Sequence, residues 1–497
     1  MTGDGVRRLV LGGLAGKLLG MLREVLLAAA YGTGVPATAT RVAQTGTLVP
    51  VDFFTADVLS AGFLPLHKEL LRTDPDRAHE LFRALRRALW VLSAVLVVAL
   101  VTGAGTVVGL LAPGLEPATA AASAQFLRVM ALGVPSYLQF SLLSYLEMSH
   151  GGFRLAGVRA TVQNLGMVAA LGAAWLLGEP VVLASGFALA YVGLHAWGLG
   201  QVADLLPAGS TTGTREALRR VWRRVRPLLL LPVVLQGSVV AERVVASLLG
   251  DEVVAAVDYA RFVATTGVNL LAVPLGLAGL AALAGLDRAD ARERLAGTVP
   301  GLLLVVAPVS VVLTVGSAPV VQVLYGRGAF DASAVATSAA VLTGFGVGFW
   351  AQSCAYVLVK ALNAAGRNRT AAGALLAGLA VTLGVNLSLH AVLGPVTLGL
   401  AASAGALVTT VLAARPLGVA GLLARWVLAC LPVAAAAGVL GWWVGRGLEG
   451  WPALLAVTGS VAAVWAAAGL GVGPWRRVGR DVVRGAVGRP RARGSGR

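Results

Sequence analysis

Leu9 to Gly34 reads LVLGGLAGKLLGMLREVLLAAAYGTG. The run is long and apolar enough to cross a bilayer, yet Lys17, Arg23 and Glu24 lie inside it. A charge near the centre of a lone membrane helix costs about 2.5–3.5 kcal/mol on insertion scales. Such residues normally face a water-filled cavity or a partner inside a helical bundle. The stretch therefore has two readings, a wall of a transport path or one half of an ion pair between helices.

The rest of the chain agrees with a bundle. Its 497 residues are 57% hydrophobic and 13% charged, and the mean hydropathy is +0.81. A soluble domain carries about twice that share of charge. Fourteen apolar segments follow one another, the first at about 8–31 and the last at about 452–472. Turn residues punctuate them, among them Gly32-Thr33-Gly34, Gly178-Glu179-Pro180 and Gly394-Pro395. The expected fold is an all-α polytopic membrane protein of about 14 transmembrane helices, two pseudo-symmetric six-helix lobes plus two C-terminal helices. The expected parts are an N-lobe at 1–205, a basic cytoplasmic linker at 206–226, a C-lobe at 227–416, helices 13 and 14 at 417–473, and a basic disordered tail at 474–497.

The repeat behind the two lobes is weak but legible. Arg23-Glu24 and Glu242-Arg243 are adjacent opposite charges on the first helix of each half, each before a glycine turn. Two halves of like order imply a pseudo-two-fold axis along the membrane normal and a cavity between them.

Arginine placement sets the orientation. With the N-terminus in the cytoplasm, thirty arginines fall on the inner side and two, Arg327 and Arg446, on the outer. The formal charge of +17 is thereby explained by topology and by contact with anionic membrane lipids. Nothing is left that calls for nucleic acid. Cys354 and Cys430 lie inside apolar runs and read as small core residues.

No enzyme signature appears. His67, His150, His195 and His390 are scattered, with no Cys or carboxylate at metal-ligand spacing. The chain is read as no enzyme, with no cofactor and no metal. The intramembrane ionisable residues remain. Lys17 and Arg23 are about 9 Å apart along a helix and point about 120° apart, so both can flank one cavity. With Arg41, Arg243 and Arg261 they form a candidate set of cavity cations. Arginine suits phosphate because its planar fork bonds two oxygens at once. An anionic, phosphate-bearing substrate is expected. The alternative is salt-bridging, Glu24 with a neighbouring arginine and Glu242 with Arg261.

Four stretches carry a family resemblance: GKLLGMLREVLLAAAYGTG at 16–34, FFTADVLSAGFLPLHKEL at 53–70, VASLLGDEVVAAVDYARFV at 245–263 and VLYGRGAFDASAVATSAAVLTGFGVG at 323–348. They resemble the MurJ/MviN lipid II flippases of the MOP transporter superfamily, most specifically at Gly326 to Asp331. The resemblance implies a flippase that moves a polyprenyl-pyrophosphate-linked peptidoglycan precursor across the bacterial cytoplasmic membrane by alternating access. Cavity cations would hold the pyrophosphate, and helices 13 and 14 would form an apolar groove for the tail. Lys17 and Arg23 match two such cations, with lysine where arginine is usual. The family's second-helix PNLLRR is here Thr47 to Val51, so its arginine is absent; arginine introduced at Val51 is expected to restore that charge. The family's Tyr-Ala-Asp-Arg is here Tyr259-Ala260-Arg261-Phe262. Na+, H+ or the membrane potential is the expected driving force, with Glu242 and Asn386 matching a cation site and His390 standing where a carboxylate is expected. Cell-wall synthesis proteins are the expected protein partners. The alternatives are a flippase for another lipid-linked glycan and a non-transporting membrane scaffold.

Overall fold

The computed structural model describes residues 3–206, 214–226, 230–280, 288–471, 475, 476 and 478. The tail expected to be disordered lies outside them from 479 onward, as does 207–213 of the linker. The described chain is helical throughout. In order, the helices are α1 (Gly3–Tyr31), α2 (Val35–Asp52), α3 (Leu64–Thr73), α4 (Pro75–Thr102), α5 (Ala104–Leu111), α6 (Pro117–Ala131), α7 (Val134–Ser149), α8 (Arg154–Leu177), α9 (Val182–Gln201) and α10 (Thr214–Val225). There follow α11 (Leu230–Leu249), α12 (Asp251–Leu280), α13 (Arg288–Val315), α14 (Ser317–Tyr325), α15 (Ala332–Val347), α16 (Phe349–Ala364), α17 (Asn368–Leu393), α18 (Val396–Ala414), α19 (Ala420–Gly445) and α20 (Gly450–Gly471).

Whole or broken helices occupy each of the fourteen apolar segments. Among the described residues nine helices are long and apolar enough to cross a membrane, eleven if α6 with α7 and α15 with α16 each count as one bent span. α1 is not among them. Its apolar run is interrupted by the charges that make it interesting.

Local sequence explains the ends and the breaks. The Asp74 side chain accepts from the Arg77 amide at 3.2 Å, and Pro75 opens α4 where no amide donor is needed. Gly178 closes α8 with a left-handed φ of 71°. Pro50 removes a donor inside α2, and beyond Asp52 the chain widens into a π-helical stretch, Phe53–Phe63, before α3.

The chain divides into two compact units, one of residues up to Ala256 with Tyr325–Ala334, the other of Val257–Leu324 and Val335 onward. α11, the first turns of α12 and the 325–334 connection thus pack with the first unit, whereas the repeat in the sequence places them with the second half. The reason is a set of backbone contacts described below. Within the first unit α1 packs on α8, α2 on α6 and α8 on α9. Within the second, α17 packs on α18, α16 on α18, and α13 on α19. Helices in lipid associate through close packing of small residues. At the α17–α18 crossing a Cβ on Gly378 would lie 2.6 Å from the Gly405 carbonyl oxygen, so no larger residue fits.

Candidate functional site

The first unit gathers the charges of α1 and α2. Glu24 is 2% exposed, and its carboxylate accepts from both Arg23 and Arg41. A second Arg41 donor, Nη1, lies 3.3 Å from Oε1. Arg23 also donates through Nη1 to Asn164 Oδ1 at 2.9 Å, and Asn164 Nδ2 donates to the Gly16 carbonyl at 2.9 Å. The absence of side chains at Gly16 and Gly20 lets α8 come this close, since a Cβ on Gly16 would lie 2.7 Å from that of Ala160.

Two arginines on one carboxylate leave one positive charge in surplus. The Arg41 side chain is 5% exposed and the Arg23 side chain 17%. The surplus charge is therefore presented by Arg23, with Arg41 held inside as the partner of Glu24. Lys17, six residues earlier on α1, is exposed. Removing one member of a buried ion group leaves the others uncompensated, at about 3–5 kcal/mol. Glu24→Ala is accordingly expected to destabilise the protein by about that amount, read as an early melting transition of the purified chain in detergent. An unchanged transition would contradict the pairing.

The other candidates are placed as follows. Arg243, on α11, is buried; it donates through Nε to Thr45 Oγ1 at 3.1 Å and through Nη1 to the Val254 carbonyl at 2.8 Å. It ties α11 to α2 and to the start of α12. Arg261 belongs to the second unit, half-buried, with its guanidinium 5.4 Å from the centroid of the Phe345 ring. Glu242 is half-buried in the first unit. Asn386, on α17 in the second, is 2% exposed and its Oδ1 has no hydrogen-bond partner. His390 Nδ1 lies 3.0 Å from the Asn386 carbonyl oxygen, one turn on. The structure thus joins Arg23, Arg41 and Glu24 directly.

A second polar cluster was not read from the sequence. Arg159, one of the thirty arginines assigned to the inner side, lies in α8 and donates to the Tyr137 hydroxyl. That hydroxyl donates to Asp52 Oδ1 at 2.8 Å, and the guanidinium sits 4.8 Å from the Tyr137 ring centroid. Tyr191 packs on Tyr137 at 4.2 Å and donates to Gln163 Oε1 at 2.9 Å. The adjacent polar pair Gln163-Asn164 in an apolar run was the available signal for both clusters. Val51, by contrast, is fully buried. An arginine there would enter packed interior, which corrects the expectation that it would restore a cavity charge.

The arginine-poor end of the first unit is sealed by backbone. The Ala329 amide donates to the Ala29 carbonyl at 2.8 Å. Thr38 Oγ1 donates to the Asp251 carbonyl at 2.8 Å, and the Glu116 amide to Asp251 Oδ1 at 3.1 Å. Gly32 and Gly328 carry φ of 56° and 61° at this seam. A Cβ on Gly328 would stand 2.2 Å from the Ala29 oxygen. The stretch that singles out the family in the sequence, Gly326 to Asp331, is thus the plug of this seam.

Among the described residues of the second unit, two recesses bear on a substrate. One of about 410 Å³ is apolar, lined by Leu303, Val311, Trp350, Cys430, Leu431 and Gly438 among others, between α13, α16 and α19. The other, about 400 Å³, is lined by Thr265, Asn269, Gln352, Tyr356, Lys360 and Thr409 among others. It offers one cation among neutral hydrogen-bonding groups.

The fold is one shared with solved membrane transporters. A solved lipid II flippase MurJ in an inward closed conformation superposes with a TM-score of 0.82 over 96% of this chain and 99% of that one, at 14% identity. An inward-facing MATE-family multidrug transporter of the MOP superfamily gives 0.66 over 82% of this chain and 96% of that one, also at 14% identity. The family model described as lipid II flippase MurJ matches residues 29–445, and the chain belongs to this family. Among curated relatives, a probable lipid II flippase MurJ from Synechocystis is 28% identical over 71% of this chain and 69% of that protein. One from Rhizobium meliloti is 26% identical over 76% and 72%.

Proposed function

We propose that this protein is a lipid II flippase, which carries a polyprenyl-pyrophosphate-linked peptidoglycan precursor across the bacterial cytoplasmic membrane. The observation that carries the reading is the surplus charge of α1. Arg23 is held by Glu24 and Asn164 in one orientation, and its side chain remains 17% exposed. A fork so fixed suits a phosphate, because less rotamer entropy is lost per bond formed. Lys17 adds a second cation on the same helix. The lipid tail stays in the bilayer, and the apolar recess beside α19 is the surface suited to it. The protein acts by binding and conformational change and breaks no bond. Both termini lie in the cytoplasm, as the arginine asymmetry argues. An inside-negative potential then favours outward passage of an anionic headgroup by about 2.3 kcal/mol per charge per 100 mV. A driving cation, Na+ or H+, is part of this reading, and the unpartnered Asn386 Oδ1 of the second unit is a group suited to it. Cell-wall synthesis proteins are the proposed neighbours in the membrane.

The direct test is a reconstituted one. Proteoliposomes loaded with lipid II in the inner leaflet are expected to expose it to an impermeant headgroup reagent only when the protein is present. Equal exposure with and without protein rules the reading out. The orientation has its own check. Cysteines at Glu179 and Arg446 are expected to react with an impermeant thiol reagent in intact cells, and cysteines at Asp76 and Arg215 only after lysis. Reaction at Arg215 in intact cells would reverse the orientation.

A further inference from the structure

The basic segment between α9 and α11 contains an element with a shape of its own. α10 runs Thr-Arg-Glu-Ala-Leu-Arg-Arg-Val-Trp-Arg-Arg-Val and is amphipathic in a particular way. Ala217 and Val221, one turn apart, are buried. The helix packs with this face on α4 and on the π-helical stretch Phe53–Phe63. It is thereby fixed to the end of the bundle where the arginine-rich loops emerge.

At 100° per residue, Arg215, Arg219, Trp222 and Arg223 fall within an arc of about 100° on another face. All four are exposed, and Arg226 follows directly after the helix, also exposed. Trp222 is 56% exposed between these arginines. The nearby carboxylates are already engaged. Glu216 accepts from Arg220, and that hydrogen bond with its attendant charge holds the carboxyl below the usual range. Glu69 on α3 is 3.3 Å from Arg224. Asp74 pairs with Arg77 at 3.0 Å. Among the described residues no carboxylate pairs with Arg215, Arg219, Arg223 or Arg226. Beside this strip, Lys68 and Arg72, one turn apart on α3, line an open recess of about 540 Å³ with Pro65, Glu69 and Thr73.

We infer that the exposed face of α10, with the Lys68–Arg72 recess, is a docking site for anionic phospholipid headgroups of the arginine-rich leaflet. Charge complementarity and depth carry the choice. An arginine strip alone would suit any polyanion. An exposed tryptophan among the arginines, on a helix packed by its apolar face against α4, suits the headgroup layer, where the indole ring has one wet and one apolar side. Arginine forks bond the phosphate oxygens bidentately, and clusters of four to eight basic residues on an amphipathic helix are read by anionic lipid. The site is independent of the transported substrate and of the cations on α1.

The test uses the full chain in proteoliposomes, with spin-labelled phosphatidylglycerol and phosphatidylcholine as probes of the lipid held at the protein surface. The wild type is expected to prefer the anionic lipid. The variant R215Q/R219Q/R223Q/R226Q is expected to lose that preference by fivefold or more, since each arginine near an anionic surface is worth about fivefold, or about 1 kcal/mol. K68Q/R72Q is expected to lose part of it. Removing four tail arginines, as in R484Q/R489Q/R491Q/R493Q, is expected to change it less than twofold, which separates a site from bulk charge. All of these arginines are polar, so elution as a monodisperse peak confirms that each variant is folded. Retention of the preference by the α10 variant overturns the inference. So does displacement of the anionic lipid by 10 mM inorganic phosphate, roughly the strength of a free-anion site, because the occupant would then be a small anion. Loss of transport with lipid preference intact would touch the flippase reading and leave this one standing.

Discussion

Arg23→Ala is expected to abolish transport while the protein remains inserted and monodisperse. The expectation follows from the division of labour around Glu24. Arg41 is the more deeply buried partner and neutralises the carboxylate, so removal of Arg23 leaves a satisfied pair behind. What disappears is the surplus charge and the fork that Asn164 orients. Two charge-assisted hydrogen bonds to a phosphate, at about 1.5–3 kcal/mol each, correspond to a loss of about a hundredfold or more in binding of the pyrophosphate headgroup. Arg41→Ala should behave differently. It leaves Glu24 short of its buried partner and should lower thermal stability as well as activity. The pair of variants separates binding from scaffolding in one comparison. Full transport by Arg23→Ala, or its loss from the membrane through misfolding, would refute the assignment.

The second large effect is expected at Gly328. Its φ of 61° is a conformation costly for any residue with a side chain. The added Cβ of Gly328→Ala would also stand 2.2 Å from the Ala29 carbonyl oxygen, which is backbone and cannot rotate away. Were this seam to open and shut during transport, strain of about 2–4 kcal/mol there would move a two-state equilibrium by about thirty- to a thousandfold. The seam is then expected to stand open. Ala37 is wholly buried beside it. In a chain whose two native cysteines are replaced by alanine, Ala37→Cys is expected to react with an external thiol reagent at least tenfold faster when Gly328→Ala is added. Transport should fall in parallel, because a carrier that cannot close one side cannot cycle. Unchanged reactivity together with unchanged transport would show that the plug does not gate. Gly32→Ala, with φ of 56° and the Ala329 oxygen 2.3 Å from its Cβ, is the mirror test from the other side of the seam.

Much of the architecture was legible because it is local. Hydropathy over twenty residues decides whether a segment can enter lipid, and glycine and proline mark where the chain must turn. Those features placed helices at every apolar segment. The family motif at 326–331 was legible as a motif. Its work as a plug was not, because its partner Ala29 is three hundred residues away. The split at the basic linker was drawn on repeat length, a one-dimensional quantity. It could not register that the 325–334 connection hydrogen-bonds to α1.

The candidate site divides along the same line. That α1 carries cations inside an apolar run is a fact of sequence, and it points to a cavity or a partner with no further help. Which of the two holds for each residue is decided only where helix faces meet. Glu24 finds Arg41 seventeen residues on because α2 turns back beside α1. Arg159 enters a relay to Asp52 because Tyr137, on a third helix, stands between them. Val51 and Asp52 are neighbours in the chain, yet one is sealed in the core and the other joins that relay. The sequence by itself determined the membrane-spanning helices and the identity of the charges they carry, through short-range hydropathy and turn chemistry. Only the tertiary structure decided which charges meet, as Glu24 meets both Arg23 and Arg41. Ion pairing acts over about 4 Å, and that proximity is set by the packing of helices distant in the chain.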